Sequence, residues 1–223
     1  MEEVVKARLV WITPDADAQV AYCARVSNPA NQDNKDIAKL LRYCAKHEHW
    51  SVFEMASACI EITTTRDIAR QILRHRSFSF QEFSQRYAEA GALPQAPLRE
   101  CRLQDTKNRQ NSLPNEDLER AAAWADKQEA VHSGALAVYN WALNNGIAKE
   151  VARAVLPEGL TSSRLYMAGT MRSWLTYLNT RLGNGAQKEH QAIAKDILVV
   201  LQSASPVVFS AFFDSHEARQ EFR

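Results

Sequence analysis

Two spacings of apolar residues divide this chain into predicted strands and helices. Strands are expected where β-branched or aromatic residues cluster or alternate with polar ones. Three segments are strand-like: residues 4–12, 56–64 and 160–168. Apolar residues three and four positions apart predict helices instead. The predicted helices run from Asp15 or Asp17 to about Val26, from Asp36 to before His47, from Arg66 to about His75, from Glu116 to about Asn144, from Ala148 to Leu156, from Thr170 to Arg181, from Asn184 onward, and briefly from Pro206.

Polar residues at the predicted helix starts are expected to accept hydrogen bonds from the first free backbone N–H groups. The expected caps are Asp15 or Asp17, Thr65, Asn115 and Thr170. Four apolar residues of the long helix after Asn115 are expected in the core. They are Trp124, Val131, Val138 and Trp141.

Residues 91–115 interrupt this pattern with prolines, glutamines and asparagines, which predict a long loop. Elsewhere the chain has no internal repeat and no clean linker. Residues 1–223 are therefore expected to form a single α+β domain, mostly helical, with one modest sheet.

The charged residues limit the kinds of partner. The 27 Lys and Arg residues nearly balance the 26 Asp and Glu residues, so there is no overall basic field to gather nucleic acid. Eighteen of these cations are arginines and nine are lysines, and arginine favours shaped, bidentate contacts. The chain therefore suits discrete anionic ligands.

The remaining composition indicates a compartment. There is no apolar run of eighteen residues and no charged-then-apolar N-terminal segment, so neither a membrane span nor a signal peptide is expected. The four cysteines are scattered without a C-x-x-C spacing, which fits a reducing cytoplasm.

Residues 74–87 (RHRSFSFQEFSQRY) are the most informative stretch. They combine three arginines, a histidine, a carboxylate and four aromatic residues, with no glycine or proline. Arginine binds phosphate or carboxylate through its planar fork and stacks on rings. The stretch therefore suggests a concave wall for a ligand that is both anionic and aromatic. The alternative is an exposed basic segment whose phenylalanines turn inward.

A stripe of like charge leads into this stretch. Arg66, Arg70 and Arg74 lie along one side of the predicted helix, and like charges repel unless an anion or carboxylates neutralise them. These charges could be neutralised by a bound anion or by surface ion pairs with Asp67 and Glu61.

A further arginine, Arg153, lies on the short apolar helix that ends at Pro157. Burying an unpaired charge is costly, so this arginine is also expected to have a partner.

Several familiar chemistries are absent from the sequence. There is no G-x-G-x-x-G, no P-loop and no G-x-S-x-G elbow, and no cysteine lies among histidines and arginines as an activated nucleophile would. His47-x-His49 could begin a zinc site with Glu54 or His75, but no second pair of ligands is recognisable, so no metal is expected.

The order of residues in the stretch resembles the motif of the flavin-dependent thymidylate synthases. R-H-R, seven residues and a serine are present as RHR-SFSFQEF-S, with the E-x-S-x-R ending at Glu82–Arg86. V-A-R-x-V-L-P recurs at Val151–Pro157. The resemblance covers most of the chain and weakens at the termini and between residues 91 and 115.

The resemblance implies site residues position by position. For the flavin they are His49, Ser51, Arg74, His75, Arg76, Glu82 and Arg172. For the dUMP pocket they are Gln71, Arg74, Glu82, Ser84, Arg86, Arg153 and Arg181. Within these sets, the resemblance makes Arg153 the phosphate ligand and Arg181 the residue that favours ionisation of the uracil ring.

The chain departs from the family pattern in the second flavin half-site. Where many relatives have N-A-R-S, it has Thr170-Met171-Arg172-Ser173. Thr176 replaces an Asn or His, and Gly185 replaces a flavin-site histidine. Arg172 is the contact expected to remain there.

The implied reaction is methylation of dUMP to dTMP, with methylenetetrahydrofolate as carbon donor and FAD, reduced by NADPH, as hydride source. The family also implies a homotetramer with shared sites, acting in the cytoplasm without nucleic acid or membrane. Two other classes stay open. One is a single-strand nucleic-acid-binding module using residues 74–87 as a stacking platform. The other is a metal hydrolase of nucleotides built on His47, His49 and His75.

Overall fold

The computed structural model describes residues 7–183 and 185–220, with side-chain surroundings as far as residue 213. The strands are β1 (Ala7–Ile12), β2 (Ser57–Thr65), β3 (Ser79–Glu82), β4 (Arg102–Gln104), β5 (Ser112–Pro114) and β6 (Ser162–Thr170). The α-helices are α1 (Ala16–Ala24), α2 (Ala38–Lys46), α3 (Arg66–Ile72), α4 (Leu118–Asn144), α5 (Lys149–Ala152), α6 (Met171–Arg181), α7 (Lys188–Ala204) and α8 (Pro206–Gln220). Short 3₁₀ segments lie at Pro29–Asn31, Trp50–Glu54, Ala90–Ala92, Arg153–Val155 and Glu158–Leu160. The expected mostly helical α+β architecture is confirmed.

The central antiparallel sheet has the strand order β1-β2-β6-β3. Its middle pair, β2 and β6, is in register from Ser57↔Thr170 to Thr65↔Ser162. Helices α3 and α6 follow these two strands directly, and therefore begin at opposite ends of the pair. The residues just beyond α3 meet the last turn of α6, where Arg181 bonds His75.

One face of this sheet is covered by helices. The inward residues of β2 and β6, among them Ile60, Ile62, Leu165 and Met167, are fully buried. Trp174 of α6 is buried with them and donates its indole N–H to the carbonyl oxygen of Ala58 at 3.2 Å. On α7 the residues at helical spacing, Ile193, Ile197 and Leu201, complete this core.

The predicted helix caps had mixed outcomes. Thr170 caps α6 as expected, accepting from the backbone N–H of Ser173 at 3.2 Å. For α4 the cap is Asp117, which accepts from the N–H of Arg120 at 2.9 Å, so the prediction of Asn115 was wrong by two residues. Asp15 precedes α1 but makes no capping bond through its side chain. Thr65 precedes α3 without such a bond either.

The other predicted cap of α1, Asp17, serves a different helix. Its carboxylate accepts from the N–H groups of Val207 and Val208, at 2.9 and 3.0 Å, in the first turn of α8. A carboxylate at a helix N-terminus satisfies free donors whichever helix they belong to.

Some predicted boundaries shifted. Helix α3 ends at Ile72 and not near His75. Residues 4–6, the predicted start of the first strand, and Asn184, the predicted start of the last long helix, lie outside the described residues. The last long helix begins at Lys188.

The prediction that four apolar residues of α4 lie in the core was wrong. Trp124, Val131, Val138 and Trp141 are 43%, 57%, 50% and 61% exposed. The face of α4 that packs within the chain is instead defined by Gln128, His132, Tyr139 and Ala142. This face is held partly by polar contacts, because Gln128 bonds the backbone of Arg99 and His132 bonds Gln95. An apolar stripe is thereby left on the outer face of α4.

Residues 91–115 are more ordered than a long loop. They contain the antiparallel hairpin β4–β5, and two arginines tie the segment to the helical layer. Arg99 pairs with Asp67 of α3 at 2.8 Å, and Arg102 pairs with Glu189 of α7 at 2.6 Å. Within residues 7–183 and 185–220, no helix has the length and apolar character needed to cross a membrane.

Candidate active site

The arginine- and aromatic-rich segment 74–87 is anchored through Phe78. The Phe78 ring packs edge-on against Trp174, with ring centroids 4.8 Å apart, and lies over Gly169 of β6. A Cβ atom at Gly169 would lie only 2.5 Å from Cδ1 of Phe78, so glycine is what allows the ring to fit. Ser173 adds a bond from its hydroxyl to the carbonyl oxygen of Ser77 at 3.1 Å. The segment is therefore fixed against the start of α6.

His75, just beyond α3, meets Arg181 in the last turn of α6. Nε–H of Arg181 donates to Nε2 of His75 at 2.9 Å. Burial and the neighbouring Arg181 lower the pKa of His75 to about 4, so the ring is neutral near pH 7 and its lone pair can accept this bond. Among the described residues, the terminal nitrogens of Arg181 make no further hydrogen bond. Arg181 is thus oriented through Nε with its outer edge available to a ligand.

Gln71 belongs to a partly buried polar group that the sequence did not reveal. Its side-chain nitrogen donates to the Oε1 atom of Gln187 at 2.7 Å, and its oxygen lies 3.3 Å from Nδ1 of His190. Nε2 of His190 lies 3.0 Å from the hydroxyl of Tyr177. A signal for His190 existed, because it precedes Ile193 by three residues and so continues the buried stripe of α7.

The arginine stripe of α3 is only partly open to a ligand. The Glu82 carboxylate lies 4.0 Å from Arg66 and 3.8 Å from Arg70, and Arg70 also pairs with Glu158 at 3.5 Å. The alternative in which Asp67 and Glu61 neutralise the stripe is therefore wrong, since Asp67 pairs with Arg99 and Glu61 with Arg8. Strand β3 accounts for the difference, because its pairing with β6 brings Glu82 toward α3.

Arg74, Arg76 and Arg153 have no partner among the residues that the structure describes. No ion pair or side-chain hydrogen bond to any of them occurs in the described part of the chain, and Arg74 and Arg76 are exposed. Arg153 lies near Arg66, whose pKa is lowered by burial first and then by repulsion from Arg70 and Arg153. The expectation that Arg153 has a partner is therefore not met by any described residue, and in this part of the structure all three guanidinium groups are available to anions.

The remaining motif residues lie at the far end of β3. Ser163 donates to Glu82 at 2.8 Å, which fixes that carboxylate. The Ser84 hydroxyl accepts from the backbone N–H of Arg86 at 3.4 Å, and Arg86 pairs with Glu150 of α5 at 3.2 Å. Because Glu150 and Arg153 are three residues apart, this pair places Arg86 close to the Arg153 segment.

His49 and Ser51 lie in a separate cluster. Both are exposed, and the His49 ring is 5.7 Å from that of Tyr43. The 3₁₀ segment that contains Ser51 is joined to α6 by an ion pair between Glu54 and Arg172. Across the described residues, no hydrogen bond or ion pair connects His49 or Ser51 with the R-H-R triplet. Among the described residues, the two expected halves of the flavin site are therefore not bonded directly to each other, but both contact the first turn of α6, one through Ser173 and the other through Arg172.

The two alternative functions find little support in these contacts. Phe78 and Phe80 are packed toward the core, so they do not offer exposed faces for stacking bases. His75 contacts Arg181, Tyr177 and His190, whereas His47 lies beside Tyr43 with ring centroids 4.3 Å apart. In the described ranges no group of three or more His, Cys, Asp or Glu side chains is arranged to hold a metal ion.

Comparisons with known proteins agree with the motif. A family model described as thymidylate synthase complementing protein (Thy1) matches residues 8–207. A protein of Paramecium bursaria Chlorella virus 1 named "probable flavin-dependent thymidylate synthase" is 49% identical over 180 residues, which are 80% of this chain and 82% of the viral one. The flavin-dependent thymidylate synthase of Synechocystis is 49% identical over 193 residues, covering 86% of this chain and 87% of its own.

A solved structure shares the fold. The UMP/dUMP methylase PolB from Streptomyces cacaoi, bound with 5-Br dUMP, superposes with a TM-score of 0.79 and 26% sequence identity, covering 93% of this chain and 94% of PolB. The fold and these relatives together define an enzyme of the methyltransferase class. The chain belongs to the flavin-dependent thymidylate synthase family, which confirms the family suggested by its R-H-R motif.

Proposed function

We propose that this chain converts dUMP to dTMP, with methylenetetrahydrofolate as the carbon donor and FAD, reduced by NADPH, as the hydride source. The observation that supports this most is the Arg181–His75 pair, in which Arg181 is oriented at Nε while its outer edge stays unpaired. Gln71 lies in the polar cluster beside this pair, through His190. PolB, with a closely similar fold, is described as a UMP/dUMP methylase and was solved with 5-Br dUMP bound.

In this proposal Arg181 polarises the uracil ring. The ring gains negative charge as it attacks the carbon donor, and a guanidinium group held in place stabilises that charge without having to reorganise. Neutral His75 contributes by accepting from Nε–H, which fixes the plane of the guanidinium. Arg153 receives the nucleotide phosphate, and Ser84 and Arg86 border the same pocket.

The residues available for the cofactor fit FAD. Arg74 and Arg76 are exposed and have no partner in the described ranges, and two unpaired guanidinium groups suit a diphosphate. When bound, the flavin supplies the hydride that completes the methyl group. Here His75 also borders the flavin ring, as the R-H-R motif implies, while His49, Ser51 and Arg172 form the second contact region and Glu82 the boundary with the nucleotide.

We also propose that the active protein is a homotetramer in which flavin and nucleotide sites are shared between chains. Two observations support this assembly. The outer stripe of α4, Trp124, Val131, Val138 and Trp141, is an apolar surface of the kind that marks protein contacts. In addition, no hydrogen bond or ion pair joins the His49–Ser51 region to the R-H-R triplet within the described part of one chain, which is compatible with a flavin site completed by a second chain.

Mixing two inactive variants tests the shared site. Arg86→Ala and Arg181→Ala are each expected to be nearly inactive. If the two positions meet across an interface, chains unfolded and refolded together should regain activity, with about a quarter of two-chain sites carrying neither change. No recovery in verified hybrid tetramers would mean that both arginines serve one site within the same chain.

The reaction itself is tested with purified protein. We expect a yellow preparation, or uptake of added FAD, and dTMP formation from dUMP that requires methylenetetrahydrofolate and NADPH. UMP should be assayed in parallel, because PolB is described as acting on both nucleotides. A colourless preparation that binds no FAD at micromolar concentration, and forms no methylated product from either nucleotide, would refute the proposal.

A further inference from the structure

Five side chains form a continuous line of hydrogen bonds. The line begins in the core at Tyr177 and ends at Glu189 of α7, which pairs with Arg102 of residues 91–115. We call it the amide relay: Tyr177, His190, Gln71, Gln187 and Glu189. Successive polar atoms along it are 3.0, 3.3, 2.7 and 2.9 Å apart. His190 is 0% exposed, so its ring nitrogens depend on these partners.

The carboxylate of Glu189 determines the direction of every bond in the relay. A carboxylate only accepts, so Gln187 must point its NH₂ group toward Glu189 and its oxygen toward Gln71. Gln71 must then direct its NH₂ group to Gln187 and its oxygen to His190. Nδ1 of His190 must therefore be the protonated ring nitrogen, and Nε2 must accept from the Tyr177 hydroxyl.

The charge states of the group agree with this direction. Burial alone would raise the pKa of Glu189, but hydrogen bonds from Arg102 and Gln187 lower it below its ordinary value, so the carboxylate is ionised. Burial, followed by the charge of Arg181, lowers the pKa of His190 to about 3, so the ring is neutral. Burial raises the pKa of Tyr177, which therefore keeps its proton.

We propose that Glu189 and His190 are positioning residues that fix the side-chain amide of Gln71 in one orientation toward the nucleotide. The inference rests on the proposed function, because Gln71 faces dUMP only under that proposal. The relay uses one N–H and one oxygen lone pair of Gln71 and leaves the others free. The free N–H and the free oxygen lone pair of Gln71 match a ring that offers a carbonyl oxygen beside an N–H, as uracil does. A reversed amide would exchange the donor and the acceptor, so the match would be lost.

The relay also connects the site to residues 91–115. Arg102 holds the other oxygen of Glu189 at 2.6 Å, and Arg99 lies 3.5 Å from the oxygen that Gln187 contacts. The hairpin segment thus helps to maintain the carboxylate whose charge orients Gln71. Docking of this segment and orientation of the nucleotide-facing amide are linked through Glu189.

The first test is spectroscopic and needs no substrate. In ¹⁵N-histidine-labelled protein, the signals of His190 are assigned by their loss in His190→Gln. We expect Nδ1 to carry the proton and Nε2 to have the shift of an unprotonated, hydrogen-bonded nitrogen. A proton on Nε2 in the parent protein would overturn the proposal, whether or not the enzyme forms dTMP.

The second test removes the group that sets the direction of the relay, the carboxylate of Glu189. Glu189→Gln keeps the shape but can donate, so the relay can run in either direction. We expect a mixture of His190 tautomers and a KM for dUMP raised roughly tenfold, with kcat changed much less. Glu100→Gln is the matched control, because Glu100 also pairs with Arg102, at 3.2 Å, but contacts no member of the relay.

The outcomes separate the two proposals. Unchanged His190 signals and an unchanged KM in Glu189→Gln would refute the positioning role. An equal effect in Glu100→Gln would assign the change to the surrounding ion pairs of Arg102 and Lys188, with which Glu100 also pairs, and refute the positioning role as well. If no variant, nor the parent, forms dTMP while the tautomer is as expected, the proposed function fails and the relay stands as structure alone.

Discussion

Gly169→Ala introduces a single methyl group directly beneath the anchor of the R-H-R segment. The new Cβ would lie 2.5 Å from Cδ1, 2.7 Å from Cε1 and 3.3 Å from Cγ of the Phe78 ring. Carbon atoms in favourable contact are about 3.5–4.0 Å apart, so the ring has to move by about 1 Å. It cannot move inward freely, because Trp174 lies against it at a centroid distance of 4.8 Å.

The expected loss of stability follows from this overlap. Extra methyl groups in a packed core cost about 1–3 kcal/mol, and we expect Gly169→Ala to lower the free energy of unfolding by that amount. In a Phe78→Ala background the methyl group meets no ring, so the same change should cost almost nothing. The double-mutant cycle should therefore give a coupling energy of about 1–3 kcal/mol.

Gly169→Ala should also affect the candidate active site. The backbone N–H of Phe78 donates to the carbonyl oxygen of His75 at 3.3 Å, so displacement of Phe78 disturbs the His75–Arg181 pair. We expect weaker FAD retention in Gly169→Ala, in addition to its lower stability.

Chemical denaturation at fixed protein concentration provides the assay. Gly91→Ala is the matched control, because a Cβ there meets nothing within 4 Å, and it should be neutral or slightly stabilising. If Gly169→Ala is as stable as Gly91→Ala, or if the coupling energy lies within error of zero, the proposed anchoring of Phe78 is wrong.

Three further predictions concern the site itself. Arg181→Lys keeps the charge but loses the planar fork, so it should fold normally and lose most turnover, while Arg120→Lys, at a surface ion pair with Asp117, should match the parent in steady-state assays. Ser84→Ala removes a pocket hydroxyl and should weaken dUMP binding by up to roughly tenfold yet leave measurable turnover, whereas a covalent Ser84–nucleotide adduct in mass spectra would contradict this. His75 and His190 have pKa values lowered from 6.5 to about 4 and about 3, so the unfolded chain binds more protons below pH 6.5 and stability should fall as the pH decreases. The slope should be up to about 1.4 kcal/mol per pH unit for each histidine, and His190→Gln should remove its share of it in denaturation titrations between pH 7 and 5.

Local features of the sequence predicted much of the scaffold. The strand at residues 56–64 and the cap at Thr170 depend on neighbouring residues and on backbone geometry, so a short window contains enough information to predict them. The R-H-R motif was equally local, and the family it suggested is confirmed.

Pairings between distant segments could not be predicted in the same way. Glu82 meets Arg66 and Arg70 because β3 joins the edge of β6 near α3. No short window of sequence specifies that strand order. His190 was overlooked for a related reason, because a histidine on an apolar stripe shows that it is buried but does not name the residue it bonds.

Helix α4 shows most clearly which features follow from the sequence and which depend on the tertiary structure. Its sequence predicted a long helix whose apolar face, with Trp124 and Trp141, would lie in the core, whereas another face of the helix carries Gln128, His132 and Tyr139. Tertiary structure alone decided which face packs within the chain, and it selected the more polar one, because Arg99 and Gln95 supply hydrogen-bond partners for it. Apolar spacing measures the tendency of a face to leave water, but the surface that covers it depends on where distant segments of the chain, or other chains, come to lie.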